Sequence, residues 1–497
     1  VKTLARSMLS LALLLAAALA CPPARAGERL TILHLNDFHG WLLPYSPKAG
    51  SPEVGGAARL AGLVASLRDD RTLFVAAGDL MQGTPISNLF GGAPVIEAFN
   101  AMGLNASAAG NHEFDNGQEV FRLRAVEARF PFLAANVRGA DWLKPSVVVT
   151  AGPLRVGLFG LVTPSTPVET HPRNVVGLEF ADPVAAAREM VAHLEGRAEL
   201  VVCLSHLGYD EDRKLAAAVP GIDVIVGGHS HARLEQPVTV GGTLIVQAFE
   251  RGALLGRLDL EIDRGAAAAT GYRLIPVDAS APADARVAAL VEGYRLRLDA
   301  RMSERVATAD MPLEGAAADV RSRETNLGNL VADAMREAAG ADAALTNAGG
   351  IRASIPAGEV TVGQVYAVLP FDNWTVSFRI PGRDLRAALE TCLAKAGQGD
   401  GGFPQVSGMT VAYDASAPPQ ARVREVTVGG APLDDERLYL VATNDFLAAG
   451  GNGLTAFAGR EPILNDTGRL LRDLFVDYLR RKGSVGGAAE GRIRRLP

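Results

Sequence analysis

The sequence predicts an α/β layered region over its first half and a smaller region of mixed helices and strands after it. Three observations carry that expectation. From Leu30 to about Asp263, short apolar runs alternate with helical patterns, and such alternation puts helices on the outside of a sheet. Five of those runs are followed at once by side chains that bind metals or move protons. At 497 residues the chain is also too long for one ordinary core, so two or three domains are expected.

Taken in order, the chain opens with Lys2 and Arg6 before an uncharged run over 7–20, rich in Leu and Ala. Ala24-Arg25-Ala26 then offers small-x-small before a cut at Gly27, so 1–26 reads as a secretory signal. The alternative is a lipid anchor on Cys21, because Ala18-Leu19-Ala20-Cys21 resembles a lipobox. Residues 57–67, 95–102, 119–128 and 183–194 carry helical patterns. Runs at 155–162, 243–248 and 254–262 read as further strands and suggest more than one sheet. The first domain is expected over 27–265. A periodic helix over 284–306, with Leu290, Tyr294 and Leu298 at four-residue steps, reads as a linker. The second domain is expected over 307–497, with Gly-rich turns at Asn347-Ala348-Gly349-Gly350 and Gly450-Gly451-Asn452-Gly453.

Composition excludes several classes. Hydrophobic content of 48% with 21% charge is that of a soluble globular chain, and no later apolar run is long enough to span a bilayer. Beyond residue 26 the balance is 46 basic against 55 acidic residues, a net of −9. A nucleic-acid polymer needs a basic footprint, so that partner is excluded. Cys203 in a strand and Cys392 in a helix read as buried thiols rather than a disulfide.

The chemistry sits after the five runs. They are 32–35 before Asn36-Asp37-Phe38-His39, 73–77 before Gly78-Asp79, and 106–109 before Gly110-Asn111-His112-Glu113-Phe114-Asp115. The last two are 200–204 before Ser205-His206 and 224–226 before Gly227-Gly228-His229-Ser230-His231. Five of the eight histidines stand at such strand ends, which are expected to deliver them to one edge of a sheet. Asp37, His39, Asp79, Asn111, His206, His229 and His231 make seven ligands. With one carboxylate bridging, they supply four to each of two divalent ions, a pair that sits roughly 3.5–4 Å apart in sites of this kind. Nitrogen and oxygen donors without thiolate suit Zn, Mn, Fe or Co better than Ca or Mg. His34, His171 and His193 lack such partners and read as structural.

These motifs resemble the calcineurin-type metallophosphoesterases. His112-Glu113-Phe114-Asp115 and the later Gly-rich turns narrow the likeness to the exported 5′-nucleotidase/UDP-sugar hydrolase branch, over nearly the whole chain beyond residue 26. The resemblance implies a four-layer αββα metallophosphoesterase sandwich followed by a smaller α+β substrate-binding domain. It implies one ion on Asp37, His39, Asp79 and His231 and the other on Asp79, Asn111, His206 and His229, with Zn, Mn or Co as the metal. Some relatives carry an amide where His231 stands. A metal-bound water that loses its proton near neutral pH would attack phosphorus while both ions take up charge. His112 would donate to the phosphoryl oxygen or leaving group, with Asp115 fixing its orientation.

The resemblance also implies a nucleoside grip. Arg352, just past the Asn347–Gly350 turn, suits bidentate phosphate contact. Phe403 and Phe446 each stand beside a turn; by residue type they read as core, whereas the resemblance makes them a pair that sandwiches the base. Asn452 departs from the family's acidic residue for the ribose hydroxyls, and an amide loses the charge-assisted bond. Asn373, Arg379 and Arg383 lie nearby without matching residue by residue. The expected function is an exported phosphohydrolase of nucleoside 5′-monophosphates, periplasmic or at the cell surface, with UDP-sugars as further candidates. Asn452 keeps open a 2′,3′-cyclic nucleotide phosphodiesterase or a thiosulfohydrolase. A non-catalytic surface binding protein is the third reading, opposed by the complete ligand set.

Overall fold

The computed structural model describes residues 27–48, 50–170, 172–263, 266–460 and 470–497. The expected leader over 1–26, with Cys21, and His171 lie outside the described residues. The chain divides into two compact units, the division falling between Arg295 and Leu296.

The strands of the first unit are β1 (Glu28–Leu35), β2 (Thr72–Ala76), β3 (Ala106–Ala108), β4 (Phe132–Leu133), β5 (Val137–Arg138), β6 (Ser146–Ala151) and β7 (Leu154–Val162). They continue as β8 (Glu179–Phe180), β9 (Leu200–His206), β10 (Val224–Gly227), β11 (Val238–Val240), β12 (Thr243–Val246), β13 (Leu254–Asp263) and β14 (Ala266–Pro276). One six-stranded sheet runs β14-β13-β1-β2-β3-β4 and a second runs β11-β12-β10-β9-β7-β6. β1 to β4 are mutually parallel, as are β12, β10, β9 and β7, while β13, β14, β11 and β6 join antiparallel.

Alternation along the strands builds the layers. Leu200, Val202 and Leu204 of β9 share one apolar layer with Leu30, Ile32, Leu73 and Val75 of the other sheet, so the sheets pack face to face. Val201 and Cys203 point the opposite way, against Ala186, Ala187, Leu215 and Ala216 on helices Pro183–Leu194 and Tyr209–Ala218. On the far face of the first sheet, Phe74 meets Phe99 of helix Ala93–Met102, and helix Ala57–Leu67 packs beside that helix. The order is helix, sheet, sheet, helix, the expected four-layer sandwich.

Local chemistry explains the helix ends. Pro183 opens its helix, Asp182 caps it by accepting the Ala185 N–H at 2.7 Å, and left-handed Gly103 closes the helix before it. One expectation is corrected here. The five apolar runs do not belong to one sheet: β1, β2 and β3 lie in the first and β9 and β10 in the second. Face-to-face packing, not pairing along one edge, brings their carboxyl ends together. Local periodicity cannot report which sheet a strand joins.

The helix expected over 284–306 runs Ala285–Met302, with Asp284 accepting the Val287 N–H at 2.9 Å. It buries Val287, Val291 and Tyr294; of the expected series only Tyr294 is buried, Leu290 and Leu298 being half-buried. Arg305–Ala309 is instead a strand, paired with Gly358–Thr361 and Ser484–Val485. Val306, Ala307 and Ala309 are all buried in the second unit's core, and this packing with strand pairing outweighs any helical continuation.

The second unit centres on a four-stranded sheet, in order Thr375–Pro381, Leu438–Asn444, Ala343–Asn347 and Pro404–Ser407. Helix Asn326–Ala339 covers it through Leu327, Val331 and Met335. Leu438–Asn444 and Ala343–Asn347 are parallel, so Asn444 and Asn347 arrive side by side at the same end.

Candidate functional site

The carboxyl ends of β1, β2, β3, β9 and β10 converge on two clusters of ligand-type atoms. Asp37, His39 and His231 form one and Asp79, His206 and His229 the other, each set of atoms within 4.8 Å of one another. Asn111 joins the second, its Oδ1 lying 3.1 Å from His206 Nε2. Asp79 Oδ2 stands 3.0 Å from His206 Nε2 and 3.9 Å from His39 Nε2, so this carboxylate touches both clusters. All seven residues expected as ligands therefore come together.

The backbone is bent to do this. Among the described residues nine non-glycines have positive φ, and five of them are Asp37, His39, Asp79, His229 and His231. Each such residue costs of order 1 kcal/mol, and strain of this kind collects at working sites. Two glycines admit the close approach: a Cβ on Gly110 would stand 2.1 Å from Asp79 Oδ1, and one on Gly228 would stand 2.4 Å from the Ala77 carbonyl oxygen.

Hydrogen bonds fix which nitrogens face inward. His39 Nδ1 lies 3.0 Å from the Gln82 carbonyl and His206 Nδ1 lies 2.7 Å from the Ala77 carbonyl. Each Nδ1 therefore carries the proton and turns Nε2 to the centre. His231 Nδ1 is 2.6 Å from Glu250, leaving its Nε2 facing His39 Nε2 at 3.3 Å and Asp37 Oδ1 at 3.4 Å. Two imidazole nitrogens and a carboxylate oxygen are turned toward one another. The donor set thus fits divalent metal ions.

Titration follows the same geometry. Burial opposes charge on His206, but Asp79 beside it more than offsets this and lifts it to about 10. Burial likewise opposes ionisation of Asp79, yet His206, His112 and His39 hold its carboxyl well below the usual range. Burial lowers His39 against the pull of Asp79 and Asp37. If His206 serves as a ligand its imidazole must be neutral, so loading metal near pH 7 would expel the His206 proton. Apparent Mn affinity is then expected to rise about tenfold per pH unit from 7 to 9. Titration calorimetry in buffers of different ionisation enthalpy would count the protons; none released would refute the assignment of that proton.

His112 and Asp115 stand beside the clusters. Nδ1 of His112 is 2.7 Å from Asp115 Oδ2, and the His112 ring lies 5.4 Å from that of His39. Burial lowers the His112 pKa, but Asp79 and Asp115 raise it to about 10. The imidazolium form is thus favoured, with Nδ1 engaged by Asp115. The Asn174 side chain anchors the loop on the Asp115 carbonyl at 2.8 Å. Glu113 was visible within its motif but carried no expected role. Buried to 1% exposure, it accepts the N–H groups of Asp79, Leu80, Met81 and Gly110 at 2.6–3.2 Å, tying the Asp79 loop to the Asn111–Asp115 loop.

Of the other histidines, the described His34 and His193 sit apart from both clusters. His34 is buried against Tyr272 with its pKa lowered to about 3 by burial, and neither ring nitrogen has a hydrogen-bond partner among the described residues. His193 is exposed beside Arg197. Cys203 and Cys392 are buried free thiols.

In the second unit, a cavity of about 250 Å³ is lined by Asn347, Gly350, Phe371, Asn373, Phe446 and Asn452. Asn444 donates to Asn347 Oδ1 at 3.0 Å, and Asn347 donates to Asn452 Oδ1 at 3.1 Å. Asn452 is itself left-handed at φ 55, and among the described residues its amide nitrogen has no hydrogen-bond partner. The guanidinium of Arg352 lies 5.8 Å from the centroid of the Phe371 ring. Phe403 departs from expectation. It is 1% exposed, inside the core and edge-on to Tyr413, whereas Phe446 is half exposed. The second ring on the cavity is Phe371, also half exposed. Residue type, which reads Phe403 as core, matches this placement better than the resemblance does. Arg383 is exposed and paired with Glu436.

Among the described residues no helix is long and apolar enough to cross a membrane. Residues 30–233 match the calcineurin-like phosphoesterase family and residues 305–459 the 5′-nucleotidase C-terminal domain. The chain is 32% identical to the 5′-nucleotidase of Bos taurus, over 97% of this chain and 94% of that one. It is 30% identical to the trifunctional nucleotide phosphoesterase YfkN of Bacillus subtilis, spanning 96% of this chain but 35% of that longer protein. Among solved structures, the 5′-nucleotidase precursor of Thermus thermophilus is 37% identical and superposes with a TM-score of 0.61, covering 94% of this chain and 99% of that one.

Proposed function

The chain belongs to the 5′-nucleotidase family and is a metal-dependent phosphoric monoester hydrolase; from that premise we propose that it removes phosphate from nucleoside 5′-monophosphates after export. Support for export comes from Lys2, Arg6 and the uncharged run that follows them. The observation that carries the reaction is the His112–Asp115 pair at 2.7 Å, set beside two clusters of metal-type ligands.

In this reading Asp37, His39, Asp79 and His231 would hold one divalent ion and Asp79, Asn111, His206 and His229 the other, with Zn, Mn or Co as candidates. Two such ions supply Lewis acidity toward water and the phosphoryl oxygens. The chain's own groups do the rest. The main-chain N–H of His112 donates to Asp79 Oδ1 at 3.0 Å, which fixes the imidazole relative to the carboxylate that reaches both clusters. Nε2 of His112 donates its proton to the phosphoryl oxygen or the leaving alkoxide. Asp115 keeps Nδ1 protonated and stabilises the imidazolium. In the second unit, Arg352 is a candidate phosphate contact by residue type, and Phe446 with Phe371 offers faces for a base.

Phosphate release from residues 27–497 with Mn, Co or Zn tests the proposal. The substrates are AMP, dAMP, UDP-glucose, a 2′,3′-cyclic nucleotide and p-nitrophenyl phosphate. AMP should be turned over fastest; turnover confined to p-nitrophenyl phosphate would overturn the nucleotide reading. Because Asn452 Oδ1 already accepts from Asn347, discrimination between AMP and dAMP should be weak. Asn452→Asp restores a charged acceptor and should raise the AMP-to-dAMP ratio of kcat/KM about tenfold, given that such bonds contribute about 1.5–3 kcal/mol. An unchanged ratio would remove residue 452 from sugar recognition.

A further inference from the structure

We propose that Glu250 is the positioning residue that makes His231 a ligand, and that this carboxylate–imidazole pair governs retention of the ion assigned to Asp37, His39, Asp79 and His231. The inference rests on the two-ion reading above. His39 and His206 lean their rear nitrogens on main-chain carbonyls. His231 differs: its Nδ1 donates to the Glu250 carboxylate at 2.6 Å. A carboxylate in that position fixes the tautomer and raises the basicity of the opposite nitrogen, here the Nε2 that faces His39 and Asp37. The need is greater because His231 is the more exposed imidazole, its side chain 36% accessible against 13% for His39. An imidazole that open to solvent turns freely unless it is held from behind.

Glu250 is itself held with unusual firmness. It stands between Phe249 and Arg251, which are both left-handed, at φ 67 and 57. The Phe249 N–H donates to the Ala232 carbonyl, and the Phe249 carbonyl accepts from the Asn36 side chain. The Arg251 N–H donates to the carbonyl of Asp37 at 2.7 Å. The strained turn is therefore pinned on one side to the residue after His231 and on the other to Asp37 and its neighbour. Arg251 also lies 3.5 Å from the Glu250 carboxylate and over the Trp41 ring at 5.1 Å. Strain of two non-glycine residues is maintained to deliver one carboxylate to one imidazole nitrogen.

The test is Mn binding to the full chain by calorimetry, with the rate of ion loss to a chelator, for wild type, Glu250→Gln and Glu250→Asp. Wild type should bind two ions. Glu250→Gln should bind one of them about 10–100-fold more weakly and lose it correspondingly faster, with the other ion unaffected and Glu250→Asp intermediate. Activity of Glu250→Gln should recover as Mn is raised, and the melting temperature of its metal-free form should match wild type. A merely structural role would lower that melting temperature without separating the two ions. Two ions held by Glu250→Gln with wild-type affinity and release rate overturn the proposal alone. A wild-type chain that binds fewer than two ions overturns the two-ion reading and the proposal with it.

Discussion

Asp79→Ala is expected to abolish turnover of every phosphate ester tried, with kcat/KM falling by at least ~10⁴-fold, about 5.4 kcal/mol of transition-state stabilisation. The magnitude follows from position. Asp79 is the carboxylate that reaches both clusters, 3.0 Å from His206 and 3.9 Å from His39, and its other oxygen receives the His112 N–H at 3.0 Å. In the two-ion reading, removing it would take a negative ligand from each ion and the main-chain anchor from His112. Two ions held close together by the remaining Asp37 and neutral donors would repel each other with less compensation. Metal content after desalting should drop from two ions per chain to one or none. The variant also places Ala at φ 52, a small further cost that melting curves will show. A variant that keeps two ions and most of its rate would refute the bridging assignment.

The site was readable from sequence to the extent that its chemistry sits next to its strands. Asp37, His39, Asp79, Asn111, His206, His229 and His231 each follow or end an apolar run, so a local rule finds them. Glu250 stands two residues past the 243–248 run, as Asp37 stands two past 32–35, and the same rule applied to that run would have reached it. What was hidden is non-local. Membership of β1 to β3 in one sheet and β9 to β10 in another is decided by side chains such as Leu30 and Val202 meeting across the sandwich. The left-handed backbone at Asp37, His39, Asp79, His229 and His231 was also hidden: Asp and His enter that region more readily than most residues, but which of them do so is set by tertiary constraint. Phe371 and Phe403 are both Phe near turns; which one meets the cavity depends on how the core of the second unit fills. Helix 285–302 was legible from its spacing, but the strand at Arg305–Ala309 draws its definition from partners at Gly358–Thr361 and Ser484–Val485.

Glu113 should give the largest stability effect of any single substitution near the site. Its two oxygens are shared between two pairs of donors: Oε2 accepts from Asp79 and Gly110 at 2.8 and 2.6 Å, and Oε1 from Leu80 and Met81 at 2.7 and 3.2 Å. Glu113→Ala leaves four buried main-chain N–H groups without an acceptor. At about 1–3 kcal/mol for each group fully stranded, and with partial relaxation, a loss of ~4 kcal/mol is expected. Glu113→Gln discriminates between packing and hydrogen bonding. Its single carbonyl oxygen can serve one pair, while its NH₂ must face the other pair donor to donor. The isosteric variant should therefore lose at least ~3 kcal/mol rather than behave as a conservative change. Denaturant unfolding of both variants, metal-free and with Mn, measures this. Because the same carboxylate joins the Asp79 loop to the Asn111–Asp115 loop, Mn affinity should fall together with stability. A Glu113→Gln chain within ~1 kcal/mol of wild type would show that shape, not the four accepted hydrogen bonds, holds the two loops together.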